Sequence, residues 1–173
     1  MKYAILSDIH GNLEAFTTVL QKCKELEVDQ YICLGDIVGY NANPKECLDI
    51  IRTLPLAGVV KGNHDEYASN NDEVMEGFNP HARTAVLWTK AQLTYEDRAW
   101  LSSLPMRLTV KGTSITAVHA TLDSGCVGLY FRRSPCGGQF CLSVHAGLFL
   151  RSFPRPGRIL QETHHTSLRA ADR

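Results

Sequence analysis

The sequence lacks any apolar run approaching the roughly 20 residues that a membrane-spanning helix requires. Its N-terminus also lacks a basic segment leading into an apolar stretch, as a secretory signal would have. No glycine-rich loop that could cradle a phosphate is present, which leaves a nucleotide-binding module as a weak alternative. We therefore expect a soluble cytoplasmic protein with no membrane partner.

The cysteines lack the spacing of a metal or redox site. Cys23, Cys33 and Cys47 each stand among apolar residues, far from one another in the chain. Free thiols of this kind are typical of a reducing compartment. We interpret these three as buried core residues.

Lysine is absent from residues 125–173, although the net charge of the whole chain is zero. Residues 1–124 carry 11 basic and 16 acidic side chains, whereas residues 125–173 carry seven arginines and two acidic side chains. This C-terminal part has no sustained apolar period, and aromatic residues are not interleaved with its arginines as in a nucleic-acid stacking platform. We expect a core over residues 1–124, a poorly ordered or non-native tail over 125–173, and no specific nucleic-acid binding.

Short apolar runs alternate with helical patterns in the first 124 residues, which is typical of an α/β fold. Strands are predicted at residues 3–6, 31–34 and 58–60. Helices are predicted at residues 13–27, 44–54, 80–93 and 95–104. A β-hairpin is predicted at residues 107–118, with a connection of four residues.

Polar side chains follow the predicted strands at the point where each strand ends. They are Asp8, His10, Asp36, Asn63, His64 and His119. Because the carboxyl ends of strands line the ligand crevice of an open sheet, we expect all of them at one edge. Gly11, Gly35 and Gly62 would let the backbone approach closely there.

These side chains offer oxygen and nitrogen donors, which suit Mn, Fe, Zn or Co better than a thiolate site would. A carboxylate such as Asp36 can bridge two cations, and such a pair can hold a phosphate and activate a water. His64 could then protonate a leaving group. A single Asp or His after a strand is more often a turn or cap residue, and Asn12 is interpreted in that way.

Four blocks occur in a fixed order: Asp8-x-His10, Gly35-Asp36-x-x-Gly39, Gly62-Asn63-His64-Asp65 and Val118-His119-Ala120. Together they resemble the calcineurin-like metallophosphoesterases, in particular the small bacterial and archaeal phosphodiesterases. The resemblance implies two mixed β-sheets flanked by helices, incomplete at the C-terminus, and hydrolysis of a phosphate ester, here a small molecule or nucleotide and in particular a phosphodiester. It also implies two divalent ions, with Mn²⁺ preferred over Fe, Zn, Co or Ni.

The same resemblance implies a role for each residue. Asp8 and His10 would bind the first metal, Asp36 would bridge, and Asn63 and His119 would bind the second. His64 would be the catalytic histidine. The alternative is a non-catalytic binding or scaffold protein with the same fold, against which the presence of His64 argues. The sequence leaves the oligomeric state and the natural substrate open.

The chain lacks the Gly-His-x-His block with which the family completes both metal sites. His145, His164 and His165 do not have the i, i+2 spacing that puts two side chains on one face of an extended segment. We therefore expect weaker metal binding and impaired activity.

A change of reading frame near Ser124 would explain both the missing block and the altered composition. The segment LRSFPRP, which begins at Leu150, can be encoded CTT CGG TCA TTC CCA CGT CCC. From the second base that string reads Phe-Gly-His-Ser-His-Val, which contains the missing block. This is one of many encodings that the genetic code permits for the segment. The alternative is a genuine divergent tail.

Overall fold

The structure, a computed structural model, describes residues 2–70, 80–113 and 115–119, and the backbone of three further strands at residues 128–132, 139–143 and 149–152. The elements are β1 (Lys2–Leu6), α1 (Leu13–Glu25), β2 (Gln30–Cys33), α2 (Pro44–Thr53), β3 (Leu56–Val59), α3 (Asn63–Ser69), α4 (Pro80–Gln92), α5 (Tyr95–Ser103), β4 (Arg107–Thr109), β5 (Ile115–Val118), β6 (Gly128–Arg132), β7 (Gln139–Ser143) and β8 (Phe149–Ser152). Within the described part, no helix is both long and apolar enough to cross a membrane.

The strands form two four-stranded sheets, with the orders β3-β2-β1-β8 and β4-β5-β6-β7. In the first sheet β1, β2 and β3 run parallel, and β8 pairs antiparallel with β1. All three pairings of the second sheet are antiparallel. The prediction of two β-sheets with helices is confirmed, and the first sheet is mixed as predicted, whereas the second is antiparallel throughout its described pairings.

Side chains of β1 alternate between two apolar cores. Tyr3 and Ile5 lie in a cluster that includes Val110, Ile115 and Ala117 of the second sheet and its border. Ala4 and Leu6 lie in the other cluster, which includes apolar residues of α1 and α2. Because successive strand residues point to opposite faces, the first sheet is covered on both sides. This burial on both faces holds the carboxyl ends of its strands in place.

Most predicted elements of the first 119 residues agree with the structure within two residues. The predicted hairpin is present, with Arg107 opposite Val118 in an antiparallel pair. Asn12 caps α1, where its side-chain oxygen accepts a hydrogen bond from the Ala15 N–H at 3.0 Å. Helix α3 was not predicted, because its seven residues carry no apolar period.

The prediction that all the polar side chains share one sheet edge is wrong for His119. Strand β5, which precedes it, belongs to the second sheet. The apolar cluster between the two sheets packs β5 against the first sheet, and this packing brings His119 to the site from another layer. Hairpin periodicity alone does not indicate which sheet a strand joins.

The prediction of buried thiols is confirmed, since Cys23, Cys33 and Cys47 are free and buried. Burial raises the pKa of the Cys33 thiol to about 12, so it is not a thiolate at neutral pH. The prediction of a poorly ordered or non-native tail stays a prediction. Strands β6, β7 and β8 lie in that range, and none of their side chains is described.

Candidate metal centre

Three strand ends of the first sheet and one of the second converge on a single site. The loop after β1 carries Asp8 and His10, and Asp36 follows β2. After β3, the first turn of α3 supplies Asn63 and His64. At Gly35, a side chain would collide with the backbone of Gly62, so glycine allows the loops after β2 and β3 to touch.

Asp36 lies at the centre of the site and is 3% exposed. Its Oδ2 atom is 3.6 Å from Nε2 of His10 and 3.5 Å from Nε2 of His119. Its Oδ1 atom accepts a hydrogen bond from the backbone N–H of His64 at 2.9 Å. One carboxylate oxygen therefore stands between two imidazole nitrogens, which is the position of a bridging ligand.

Backbone carbonyls determine which imidazole nitrogens carry protons. Nδ1 of His10 lies 3.2 Å from the Val38 carbonyl oxygen, and Nδ1 of His119 lies 2.8 Å from that of Leu34. A carbonyl oxygen can only accept, so each Nδ1 carries a proton, and in the neutral ring each Nε2 then presents a lone pair. In that form Nε2 and the carboxylate of Asp36 are both acceptors. A cation between them would satisfy both.

The imidazole of His119 faces a further acceptor besides Asp36. Nε2 of His119 is 3.1 Å from Oδ1 of Asn63, and in a neutral ring protonated at Nδ1 both of these atoms are acceptors. A set of a carboxylate, an amide oxygen and an imidazole suits a hard or borderline divalent cation. The residues present therefore fit a metal ion.

Two groups of three side chains bring their potential ligand atoms within 4.8 Å of one another: Asp8, Asp36 and His119, and His10, Asp36 and His64. The resemblance instead pairs His10 with Asp8 and leaves His64 without a metal. The distances between the ligand atoms allow both assignments of side chains to the two ions, and Asp36 belongs to both ions in each. All six predicted site residues are thus brought together, whereas His145, His164 and His165 lie outside the described residues.

Burial dominates the electrostatics of the site. Desolvation raises the pKa of the Asp36 carboxyl to about 7, against the opposing effect of His119. Desolvation, reinforced by the nearby His10 and His119, lowers the pKa of His64 to about 4. The pKa of His10 is lowered mainly by burial. The imidazoles of His10 and His64 are therefore neutral at pH 7, which is the form that binds metal.

Asp65 supports the site through the backbone, a role that the sequence did not predict. It is fully buried, and its carboxylate accepts hydrogen bonds from the backbone N–H groups of Asp36 at 2.8 Å, Ile37 at 2.9 Å, Val38 at 3.2 Å and Gly62 at 3.0 Å. It thereby joins the loop after β2 to the start of α3. Its place three residues after Gly62, as in a helix-capping pattern, was the available signal.

Comparison with known proteins places this fold and site in a family. A family model described as calcineurin-like phosphoesterase matches residues 1–167. An uncharacterized protein of Methanocaldococcus jannaschii is 44% identical over 119 residues, which are 68% of this chain and 48% of that protein. The chain thus spans about half the length of this curated relative.

Two solved structures are also similar. A metallophosphoesterase from Sphaerobacter thermophilus is 38% identical, with a TM-score of 0.59, over 72% of this chain and 49% of that one. A hypothetical protein from Pyrococcus horikoshii OT3 is 24% identical, with a TM-score of 0.61, over 72% of this chain and 56% of that one, and it supports the fold alone. From the family match, the fold and these relatives, we conclude that the chain belongs to the calcineurin-like phosphoesterase family.

Proposed function

We propose that this protein hydrolyses a phosphate ester, in particular a phosphodiester, with two divalent ions of which Mn²⁺ is the preferred one. The observation that carries the proposal is Asp36 Oδ2, at 3.6 and 3.5 Å from two imidazole Nε2 atoms whose Nδ1 atoms are held by carbonyls. Family membership supports the reaction class. Bound in pairs, such ions activate a water for attack and neutralise charge on the phosphoryl oxygens.

The protein residues have separate tasks in this proposal. Asp8 and His10 would hold the first ion, Asn63 and His119 would hold the second, and Asp36 would serve both. The carbonyls of Val38 and Leu34 fix the ring orientation of the two histidines. With both rings and the bridging carboxylate fixed, little reorganisation is needed on substrate binding.

His64 is proposed to protonate the leaving oxygen. That role requires the imidazolium form, and burial acts against it by lowering the His64 pKa to about 4. A bound phosphate ester adds negative charge beside the ring, which favours the protonated form again. Substrate binding would therefore raise the protonated fraction of His64 at the step that needs the acid, against the opposing charge of the two ions.

We propose that activity is impaired, because the Gly-His-x-His block would supply one further ligand to each ion. Each ion would then find three protein ligands among the described residues, with water available for the remaining positions. The free, buried thiols of the described part support a cytoplasmic location.

Metal binding is tested first, by calorimetric titration with Mn²⁺. Asp36→Asn removes the bridging charge and should weaken binding at least about tenfold, since loss of a ligand charge is felt at both positions. Asp49→Asn makes the same substitution at an exposed carboxylate of α2 and should leave binding unchanged. Equal affinity in both variants would show that the ions do not use Asp36.

Hydrolysis is tested with two diesters that differ in the leaving group, p-nitrophenolate in one and an alkoxide in the other. A general acid typically contributes about 10²–10⁴-fold, and mainly for poor leaving groups. His64→Ala should therefore slow alkoxide release far more than p-nitrophenolate release. Equal effects on both would remove the acid role. Mn²⁺ binding without turnover of either diester would favour the scaffold alternative.

A further inference from the structure

An exposed tyrosine lies against the metal centre. Tyr40 is 53% exposed, although its ring contacts two imidazoles of the site. Its ring centroid is 4.9 Å from that of His10, in an edge-to-face arrangement, and 4.4 Å from that of His64. The catalytic and metal-binding roles proposed above use neither the ring nor the hydroxyl of Tyr40.

The backbone holds Tyr40 at this place in an unfavourable conformation. Its φ angle is +57°, in the left-handed region that bulky residues rarely adopt. The preceding Gly39 has φ +100°, and a side chain there would approach Nδ1 of His64 to 2.7 Å. Such a conformation persists only where the surroundings impose it, and it clusters at functional sites.

The surroundings that impose it are hydrogen bonds to the loop after β1. The backbone N–H of Asn41 donates to the carbonyl of His10 at 3.0 Å, and the Asn41 side chain donates to the same carbonyl at 3.1 Å. Two residues later, the N–H of Asn43 donates to the carbonyl of Gly11 at 3.0 Å. These bonds hold the residues that follow Tyr40 against the loop that carries His10.

We propose that Tyr40 is a specificity residue, whose exposed ring surface stacks on a planar aromatic group attached to the leaving oxygen of the substrate, as in a nucleotide. The inference rests on the proposed function, because His64 as the leaving-group acid locates that part of the substrate beside Tyr40. Aromatic rings stack on nucleobases of every kind, so the preference is for a flat ring rather than for one base.

The test measures binding, and so does not depend on turnover. Adenosine 5′-monophosphate and ribose 5-phosphate share the phosphate and the sugar, and differ only in the base. Their affinities for the full chain saturated with Mn²⁺ are compared by equilibrium dialysis. We expect the nucleotide to bind at least about fivefold more tightly than the sugar phosphate, because stacking adds to the shared phosphate contacts.

Tyr40→Ala should abolish this preference by weakening only the nucleotide, while Tyr40→Phe should keep it, since the ring and not the hydroxyl makes the contact. Tyr95→Ala is the matched control, because Tyr95 is 75% exposed and lies on α5. This variant should behave as the parent chain does.

Three results would overturn the proposal. If the parent chain binds the two ligands equally, and Tyr40→Ala does too, stacking does not contribute to binding, although the phosphate site stands. Equal weakening of both ligands by Tyr40→Ala would show that the ring only supports the histidines. Failure of both ligands to bind the Mn²⁺-loaded chain would overturn the proposed function and the inference together.

Discussion

Left-handed backbone is concentrated at the proposed ligands. Asp8 has φ 55°, His10 has φ 49° and Asp36 has φ 54°. Each such residue costs about 1–2 kcal/mol relative to ordinary backbone. Hydrogen bonds between the two loops offset this cost, for example from the Asp8 N–H to the Gly35 carbonyl at 3.1 Å. The aspartates tolerate this region better than most residues, and His10 is also of a type enriched there.

Metal affinity should depend on the protonation of Asp36, whose pKa is raised to about 7 by burial. Below that pH the proton occupies the carboxylate and an incoming cation must displace it, so affinity rises with pH and levels off above about 7. The slope should approach tenfold per pH unit well below pH 7. His10 adds less to this slope than an ordinary histidine would, because burial lowers its pKa. Titration with Mn²⁺ between pH 5.5 and 8.5 measures the profile.

Proton release provides an independent check on this pH dependence. Calorimetry in two buffers of different ionisation enthalpy should detect about one proton released at pH 6 and a value near zero at pH 8.5. Asp49→Asn should give the same profile as the parent chain. Affinity that does not change between pH 6 and 8 would contradict the assignment of Asp36 as the titrating ligand.

At the scale of elements, sequence patterns were informative where apolar residues mark the buried faces of a strand or helix. The strand at residues 31–34 is apolar on both faces because helices cover one side and the second sheet covers the other. The short helix α3 was not predicted because its first turn is held by hydrogen bonds that Asp65 accepts from residues outside the helix, namely Asp36 and Gly62. Packing between residues far apart in the chain decides which sheet β5 joins, so a short stretch of sequence does not reveal it.

Asp65 should control the stability of the junction between the loop after β2 and α3. Asp65→Ala would leave four backbone N–H groups without their acceptor, and each unmet buried donor costs about 1–3 kcal/mol. Because water can enter part of the space left behind, we expect the free energy of unfolding to fall by about 3 kcal/mol or more. Urea unfolding followed by circular dichroism measures this change.

Two further variants make the Asp65 result interpretable. Asp65→Asn keeps one acceptor oxygen, so it should fold and lose less stability than Asp65→Ala. Asp49→Ala removes an exposed carboxylate and should change the free energy of unfolding by about 0.5 kcal/mol or less. A loss in Asp65→Ala no larger than that in Asp49→Ala would mean that the four hydrogen bonds do not stabilise the junction.

At the scale of the whole molecule, the sequence predicted the family from four short blocks, and it predicted the site because those blocks follow strand ends. It could not predict the pairing of β8 with β1, where Ala4 lies opposite Leu150. Residues 125–173 show no sustained period from which such a partner could be inferred. The composition change in this range is the observation that still requires a cause.

A frame change in the coding DNA is the cause that we propose, and reading that DNA between the codons of His119 and Pro156 tests it. If the frame shifted by one base spells Gly-His-Ser-His over the LRSFPRP segment, two histidines at i, i+2 spacing become available on one face of an extended segment. A chain made in the restored frame should then bind Mn²⁺ at least about tenfold more tightly, because each ion gains a ligand. If the DNA does not spell that block, the tail is genuine. Replacement ligands would then be sought among His145, His164 and His165 by His→Ala variants and the same titration.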